Sequence, residues 1–228
     1  MRQIIANIIG ETLDGQTFTN YIVPMKTKTV NLYEFNELSD SAKEKARQWF
    51  REASCGDSYW SESIEEEATE QARYMGFDVE KILWSGFCCQ GDGACFIGEW
   101  SAKNFQPNKV ADSWGESDAT AQIKRIGGIF EEFSREYPNL QVKISHRDRY
   151  YHERSVDYDF TFHDEDGYEI DWPEKFCERS FKDTCADLFK WIYRQLEKEY
   201  NYRNDDEQVD ESILANEYTF LESGKRED

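Results

Sequence analysis

Near the C-terminus Phe181, Cys185, Leu188, Phe189, Ile192, Leu196 and Tyr200 recur at helical spacing. The pattern predicts one long helix over about 174–202 with a single apolar face, which something must cover. Such a helix is long enough to cross a sheet and also long enough to donate a face to a homodimer. Strands to pack against it are legible. Leu140, Val142 and Ile144 alternate with polar residues, as do Val156, Tyr158, Phe160 and Phe162. The apolar runs 77–89 and 94–100, joined by Gln90-Gly91-Asp92-Gly93, read as a hairpin whose sharp turn needs its glycines. Segments 4–9 and 17–23 flank an Asp14-Gly15 turn signal, 29–35 adds a third alternation, and 218–221 reads as an edge strand.

Other helices follow from their caps and stripes. One starts at Ser39 or Asp40 and carries Ala42, Ala46, Trp49, Phe50 and Ala53. A second starts near Ser63, where Glu66 completes a capping box, turns Ile64, Ala68, Ala72 and Met75 inward, and stops at Gly76. A third covers 119–136 with Ile123, Ile126, Phe130, Phe133 and Tyr137 inward. A short one, capped by Asp205 or Asp206, runs through Ser212 and Ala215. Strands and helices come in blocks without strict βαβ alternation. The expected fold is therefore a single α+β domain, an antiparallel sheet of five to seven strands packed by three to five helices. Residues 1–35 are expected as a strand hairpin extension and 36–224 as the core.

Aromatic residues, 15% of the chain, supply large buried areas from few positions. No stretch has the roughly 20 apolar residues of a membrane span, and the N-terminus lacks the cleavage pattern of a signal peptide. A cytoplasmic protein is the expectation. Among the six cysteines, Cys88 and Cys89 are adjacent, and Cys177 and Cys185 lie about 12 Å apart along one predicted helix. Reduced, mostly buried thiols fit better than disulfides.

The formal net charge is −20, and it is local. Segments 57–72, 157–174 and 197–228 carry −6, −8 and −7, which leaves the rest of the chain at +1. Carboxylates at this density repel nucleic-acid backbone and membranes and attract basic proteins. The expected partner is a basic protein, met by Asp57, Glu62, Glu65, Glu66, Glu67 and Glu70, by Asp164, Glu165, Asp166, Glu169 and Asp171, and by Asp205, Asp206 and Glu207. Direct nucleic-acid binding is not expected; mimicry of nucleic acid by these carboxylates is one reading, and a merely solvated acidic surface is the other.

Candidate chemistry is sparse. Three glycines around Ser85, Gln90 and Asp92 could line a pocket, but no P-loop or dinucleotide fingerprint is present. Cys88, Cys89 and Cys95 lack the two-to-four-residue offset that opens most thiolate zinc sites, so no metal is expected. His146 and His152 would share a sheet face if a strand ran straight through 146–152. With Arg147, Arg149, Arg154, Tyr150 and Tyr151 they could bind a phosphate, or the arginines could pair with the acidic surface. Segment 164–171 lacks EF-hand ligand spacing and reads as a solvated turn between strand and helix. No base–nucleophile signature appears, so no catalytic residue and no cofactor is expected.

Three stretches occur together: Tyr33-Glu34-Phe35-Asn36-Glu37-Leu38-Ser39-Asp40-Ser41-Ala42-Lys43, segment 85–96, and Trp191-Ile192-Tyr193-Arg194-Gln195-Leu196-Glu197 running on to Asn216-Glu217-Tyr218. Over about 29–224 the chain resembles a group of phage and prophage proteins often labelled "antitoxin of a toxin–antitoxin stability system". That group more often has Trp-Ser where Cys88-Cys89 stand here. The resemblance transfers no site residues. It implies an acidic phage-type protein that binds and inhibits a basic host protein, as a counter-defence or anti-CRISPR-like inhibitor in the host cytoplasm. One alternative is an antitoxin neutralising a cognate toxin. Another is a nucleotide or small-ligand binder, or an enzyme, built on segments 85–93 and 146–152.

Overall fold

The structure is a computed structural model and describes residues 29–54, 59–112, 114–147 and 149–226. In chain order its elements are β1 (Tyr33–Glu34), α1 (Asp40–Ser54), α2 (Tyr59–Tyr74), β2 (Phe77–Ser85), β3 (Gly93–Ser101), α3 (Asp118–Glu136), β4 (Leu140–His146), β5 (Val156–His163), β6 (Glu169–Ile170), α4 (Glu178–Asn204), α5 (Asp206–Ala215) and β7 (Thr219–Phe220). The α+β expectation holds: five strands form an antiparallel sheet in the order β2-β3-β4-β5-β6, and β1 and β7 form a separate two-stranded ribbon.

Alternation sets the two faces of the sheet. Leu140, Val142 and Ile144 are buried while Gln141, Lys143 and Ser145 are exposed, and the pairings Leu140↔Phe162, Val142↔Phe160 and Ile144↔Tyr158 align the apolar rows. On the polar side Lys143 sits between Glu99 of β3 and Asp159 of β5, a cross-strand ladder of alternating charge. The apolar stripe of α4 is spent on β3: Phe189 meets Phe96 edge-on at 4.8 Å and Phe181 meets Trp100 at 5.1 Å. The stripe also includes Trp191, which stacks on Trp114 and donates to the carbonyl of Ala119 at the start of α3. Gly76 ends α2 with φ of 97°, and a Cβ there would lie 2.8 Å from the Ser101 carbonyl oxygen. Glycine alone lets the chain reverse into β2 at that distance.

A second, smaller core joins the two flanks of the described chain. Phe35, Leu38, Ala42 and Ala46 pack with Val209, Ile213 and Phe220, and Trp49 closes on Tyr218 and Phe220. Arg47 clamps this unit, donating from Nε and Nη2 to the two carboxylate oxygens of Asp210 at 2.6 and 2.7 Å. That pairing raises the guanidinium pKa further above its ordinary value. Arg51 pairs with Asp206 and donates to the Asn204 carbonyl. Arg47→Ala is expected to cost about 1–2 kcal/mol, since solvent reaches Asp210 and screens part of the pair. Hydrogen exchange checks this: α5 amides should lose protection while β3 and β4 keep theirs.

Several boundaries differ from the expectations. Helix α2 begins at Tyr59, four residues before Ser63, so Ser63 and Glu66 lie inside it and cap nothing. The cause is packing: Trp60 meets Trp84 at 5.3 Å and Tyr200 at 6.0 Å, which recruits an extra helical turn. Helix α4 begins at Glu178, not near 174, because Trp172 and Phe176 are committed to an aromatic cluster with Phe160 and Phe162. The strand expected over 29–35 shrinks to two residues, since Phe35–Glu37 turns as a 3-10 helix with the Glu37 carboxylate accepting from the Glu34 N–H. Segment 218–221 contributes β7 to the ribbon and not to an edge of the large sheet. Ala53 is exposed. Only two of the five described cysteines are buried, Cys95 and Cys185, because Cys88 and Cys89 ride a loop and Cys177 precedes α4. The expected hairpin over 4–9 and 17–23, and Asp57, lie outside the described residues.

Candidate functional site

The acidic residues of α2 border a groove of about 920 Å³ whose other wall is the outer edge of β2. Helical spacing produces this arrangement. Ala68 and Ala72 face the core, so Glu62, Glu66 and Glu70, four residues apart, run along the solvent side at intervals of about 6 Å. Glu65 accepts a hydrogen bond from Trp84 Nε1 at 2.9 Å, and Glu70 accepts from the Tyr74 hydroxyl at 2.7 Å. Among the described residues none of Glu62, Glu65, Glu66, Glu67 and Glu70 makes an ion pair with a Lys or Arg. Burial first, and then repulsion from Glu70, push the Glu67 carboxyl above its ordinary pKa. Among the described residues strand β2 pairs only with β3, with its other edge toward the groove, and a bulge between Val79 and Lys81 inserts Glu80 into that rim.

The other acidic segments do not join this surface. Asp164 organises the β5–β6 turn, its Oδ1 accepting from the N–H groups of Asp166 and Tyr168, while Glu165, Asp166, Glu169 and Asp171 are exposed. That turn sits at the β6 edge, four strand spacings or about 19 Å from β2. In the third segment Asp205 caps α5 through the Glu207 N–H, and Asp206 is held by Arg51 and Arg47, which leaves Glu207 exposed. Three segments that look equivalent in sequence thus have three different duties.

Segments 85–93 and 146–152 do come together, as packing. Strand β2 stops at Ser85, and 86–92 forms a loop longer than the expected Gln90-Gly91-Asp92-Gly93 turn. Strand β4 ends at His146 and β5 starts at Val156, and residues 149–155 form a second loop, so the expected shared strand face of His146 and His152 does not form. That loop folds against the first: a Cβ on Gly93 would lie 2.7 Å from His152 Cβ, and one on Gly91 3.2 Å from the Tyr150 ring. His146 Nε2 bonds to the Tyr150 carbonyl at 3.1 Å, and His152 Nδ1 accepts from the Arg154 N–H. Arg147 pairs with Asp157 and donates to the Arg154 carbonyl, the internal pairing weighed above.

Within the 86–92 loop Asp92 Oδ2 accepts from the N–H groups of Cys88 (3.0 Å) and Cys89 (2.6 Å), with Ser85 Oγ at 3.4 Å from Oδ1. These bonds hold the Asp92 carboxyl below its usual pKa. Gln90 is exposed. The thiols of Cys88 and Cys89 lie 3.7 Å apart, and the Cys89 pKa is raised by its contact with Cys88 and by the Asp92 charge. A rule that looks for cysteines two to four residues apart passes over this trio.

Sequence reasoning also missed a cavity of about 440 Å³ where α1, α2, α4 and α5 approach one another, lined by Phe50, Trp60, Tyr200, Tyr202 and Arg203 among others. Its aromatic residues lie on three separate elements, α1, α2 and α4, so no local pattern announces it. Among the described residues no helix is long and apolar enough to cross a membrane.

Comparison with curated proteins and with solved structures finds no match. A family model described as "Domain of unknown function (DUF8835)" matches residues 60–206. The match spans α2 through α4 and so contains the five-stranded sheet and the main core, while the smaller core lies outside it. With well over half of its length matched, the chain belongs to this family of unknown function.

Proposed function

We propose that the protein binds and blocks a basic partner protein through the groove between α2 and the outer edge of β2. The observation that carries this reading is the row Glu62, Glu66 and Glu70, with Glu67 beside it, which among the described residues has no ion-pair partner and lies next to a strand edge that no described strand covers. An extended basic segment can add to β2 by main-chain hydrogen bonds while its Lys or Arg side chains reach the glutamates. Charge steers the encounter, and a nucleic-acid-binding protein, already shaped for a polyanion, fits the same surface. The resemblance to a phage and prophage group supports a partner in the host cytoplasm, either a defence protein or a cognate toxin. A toxin gene adjacent to this one would select the antitoxin version.

Capture of the partner on immobilised protein, followed by elution in rising salt, tests the reading. Release is expected between about 0.1 and 0.5 M salt, where screening shortens to a few ångströms. Retention that is indifferent to salt would reject an electrostatic contact.

Proton release gives a second test. A cation beside Glu67 lowers the raised pKa of that carboxyl, so the complex favours its ionised form. Binding is therefore expected to tighten as pH rises through the mildly acidic range above the ordinary carboxylate pKa. Titration calorimetry in buffers of different ionisation enthalpy would register the released proton, and Glu67→Gln would abolish that signal.

A further inference from the structure

We infer that the turn bearing Cys88, Cys89 and Asp92 is a binding site for a thiophilic divalent cation of the Zn²⁺ type. The sulfur spacing carries the inference. Two thiolates bound at about 2.3 Å to one tetrahedral ion sit about 3.7–3.8 Å from each other, and Cys88 Sγ and Cys89 Sγ are 3.7 Å apart. A third donor lies close by, because the two sulfurs and a carboxylate oxygen of Asp92 all lie within 4.8 Å of one another.

The loop is organised around these donors. Asp92 receives the backbone N–H groups of both cysteines and approaches the Ser85 hydroxyl, which fixes the carboxylate and the path of the chain carrying the thiols. Outer bonds of this kind orient ligands before an ion arrives. The Tyr193 hydroxyl donates to the Gly86 carbonyl and ties the loop to α4. Two thiols beside a carboxylate concentrate negative charge as they ionise, and a dication offsets it. Cys88 and Cys89 are exposed, so an ion can enter from solvent and keep a fourth position for water or for a ligand from a partner. Sulfur donors favour zinc and softer ions over magnesium or calcium.

Titration of the reduced full-length chain with Cd²⁺, a spectroscopic substitute for Zn²⁺, tests the site through thiolate-to-metal charge-transfer absorption. The band is expected to saturate at one equivalent and to disappear in Cys88→Ser and in Cys89→Ser. Asp92→Asn should weaken binding by about tenfold or more. Cys177→Ser removes an exposed thiol elsewhere and should leave the titration unchanged. Circular dichroism of each variant confirms that it is folded, which the near-isosteric Cys→Ser changes favour. No band at one equivalent, a band that survives the Cys88→Ser/Cys89→Ser double variant, or a band lost in Cys177→Ser would each overturn the assignment.

Discussion

Trp100→Ala is expected to leave the protein largely unfolded at 25 °C. The side chain is fully buried at the centre of the aromatic core, with ring centroids 6.5 Å from Phe77, 6.2 Å from Phe130 and 5.1 Å from Phe181. Truncating a buried tryptophan costs about 3–5 kcal/mol through lost transfer energy and the cavity left behind. A second loss adds to this, since Trp100 Nε1 donates to the Met75 carbonyl at 2.7 Å and that oxygen lies in the interior at the end of α2. Leaving it without a donor costs about 1–3 kcal/mol more. The sum, about 4–8 kcal/mol, equals the whole stability of a domain in the lower half of the ordinary range of about 5–15 kcal/mol. Trp100→Phe separates the two contributions: most of the apolar area stays, the donor is lost, and the expected loss falls to about 1–3 kcal/mol. A urea melt followed by far-ultraviolet circular dichroism gives the Trp100→Phe number, and the spectrum of Trp100→Ala without denaturant shows whether it folds. A Trp100→Ala midpoint within about 2 °C of the parent in a thermal melt would show that this tryptophan is not the keystone described.

Reversing three charges on α2, in the variant Glu62→Lys/Glu66→Lys/Glu70→Lys, is expected to weaken partner binding by more than about a hundredfold. Each exposed contact contributes up to about 1 kcal/mol, and reversal replaces attraction by repulsion, so three positions amount to about 3 kcal/mol or more. The fold should tolerate the change. Lysine and glutamate have similar helix propensities, and the three side chains face solvent. Only Glu62 lies in the first turn, where a cation against the helix dipole costs a few tenths of a kcal/mol. Reversal of Glu165, Asp166 and Glu169 at the far edge of the sheet is the matched control, with the same change in net charge. Surface plasmon resonance on both triple variants distinguishes the readings. Equal losses would mean that diffuse charge, and not the α2 groove, governs binding.

The two variant sets test different layers, and the sequence disclosed those layers unequally. Helices α3 and α4 and strands β4 and β5 were legible because each element repeats its burial at its own period. Ile123, Ile126, Phe130 and Phe133 are all buried, as are Leu140, Val142 and Ile144. The start of α2 was not legible, since its first turn exists to put Trp60 on Trp84 and Tyr200. The ribbon of β1 and β7 was equally hidden. Its strands are two residues each, too short for a periodic signal, and Tyr33 pairs with Phe220 from the far end of the described chain.

The candidate sites divide in the same way. The sequence by itself determined that charge is concentrated in three segments, that one long helix carries a single apolar face, and that Asp92 lies among glycines close to adjacent cysteines. Which carboxylates stay available was decided by tertiary structure alone. Arg47 and Arg51 of α1 occupy the acidic start of α5, more than 150 residues away, whereas the α2 glutamates face an open groove. The thiol spacing was likewise settled by folding, when the Asp92 carboxylate drew the two cysteine N–H groups into one turn. Composition and period follow from the order of residues, because they describe which side chains a segment carries and how often. Pairing depends on distance in space, and the chain sets that only when its remote segments pack.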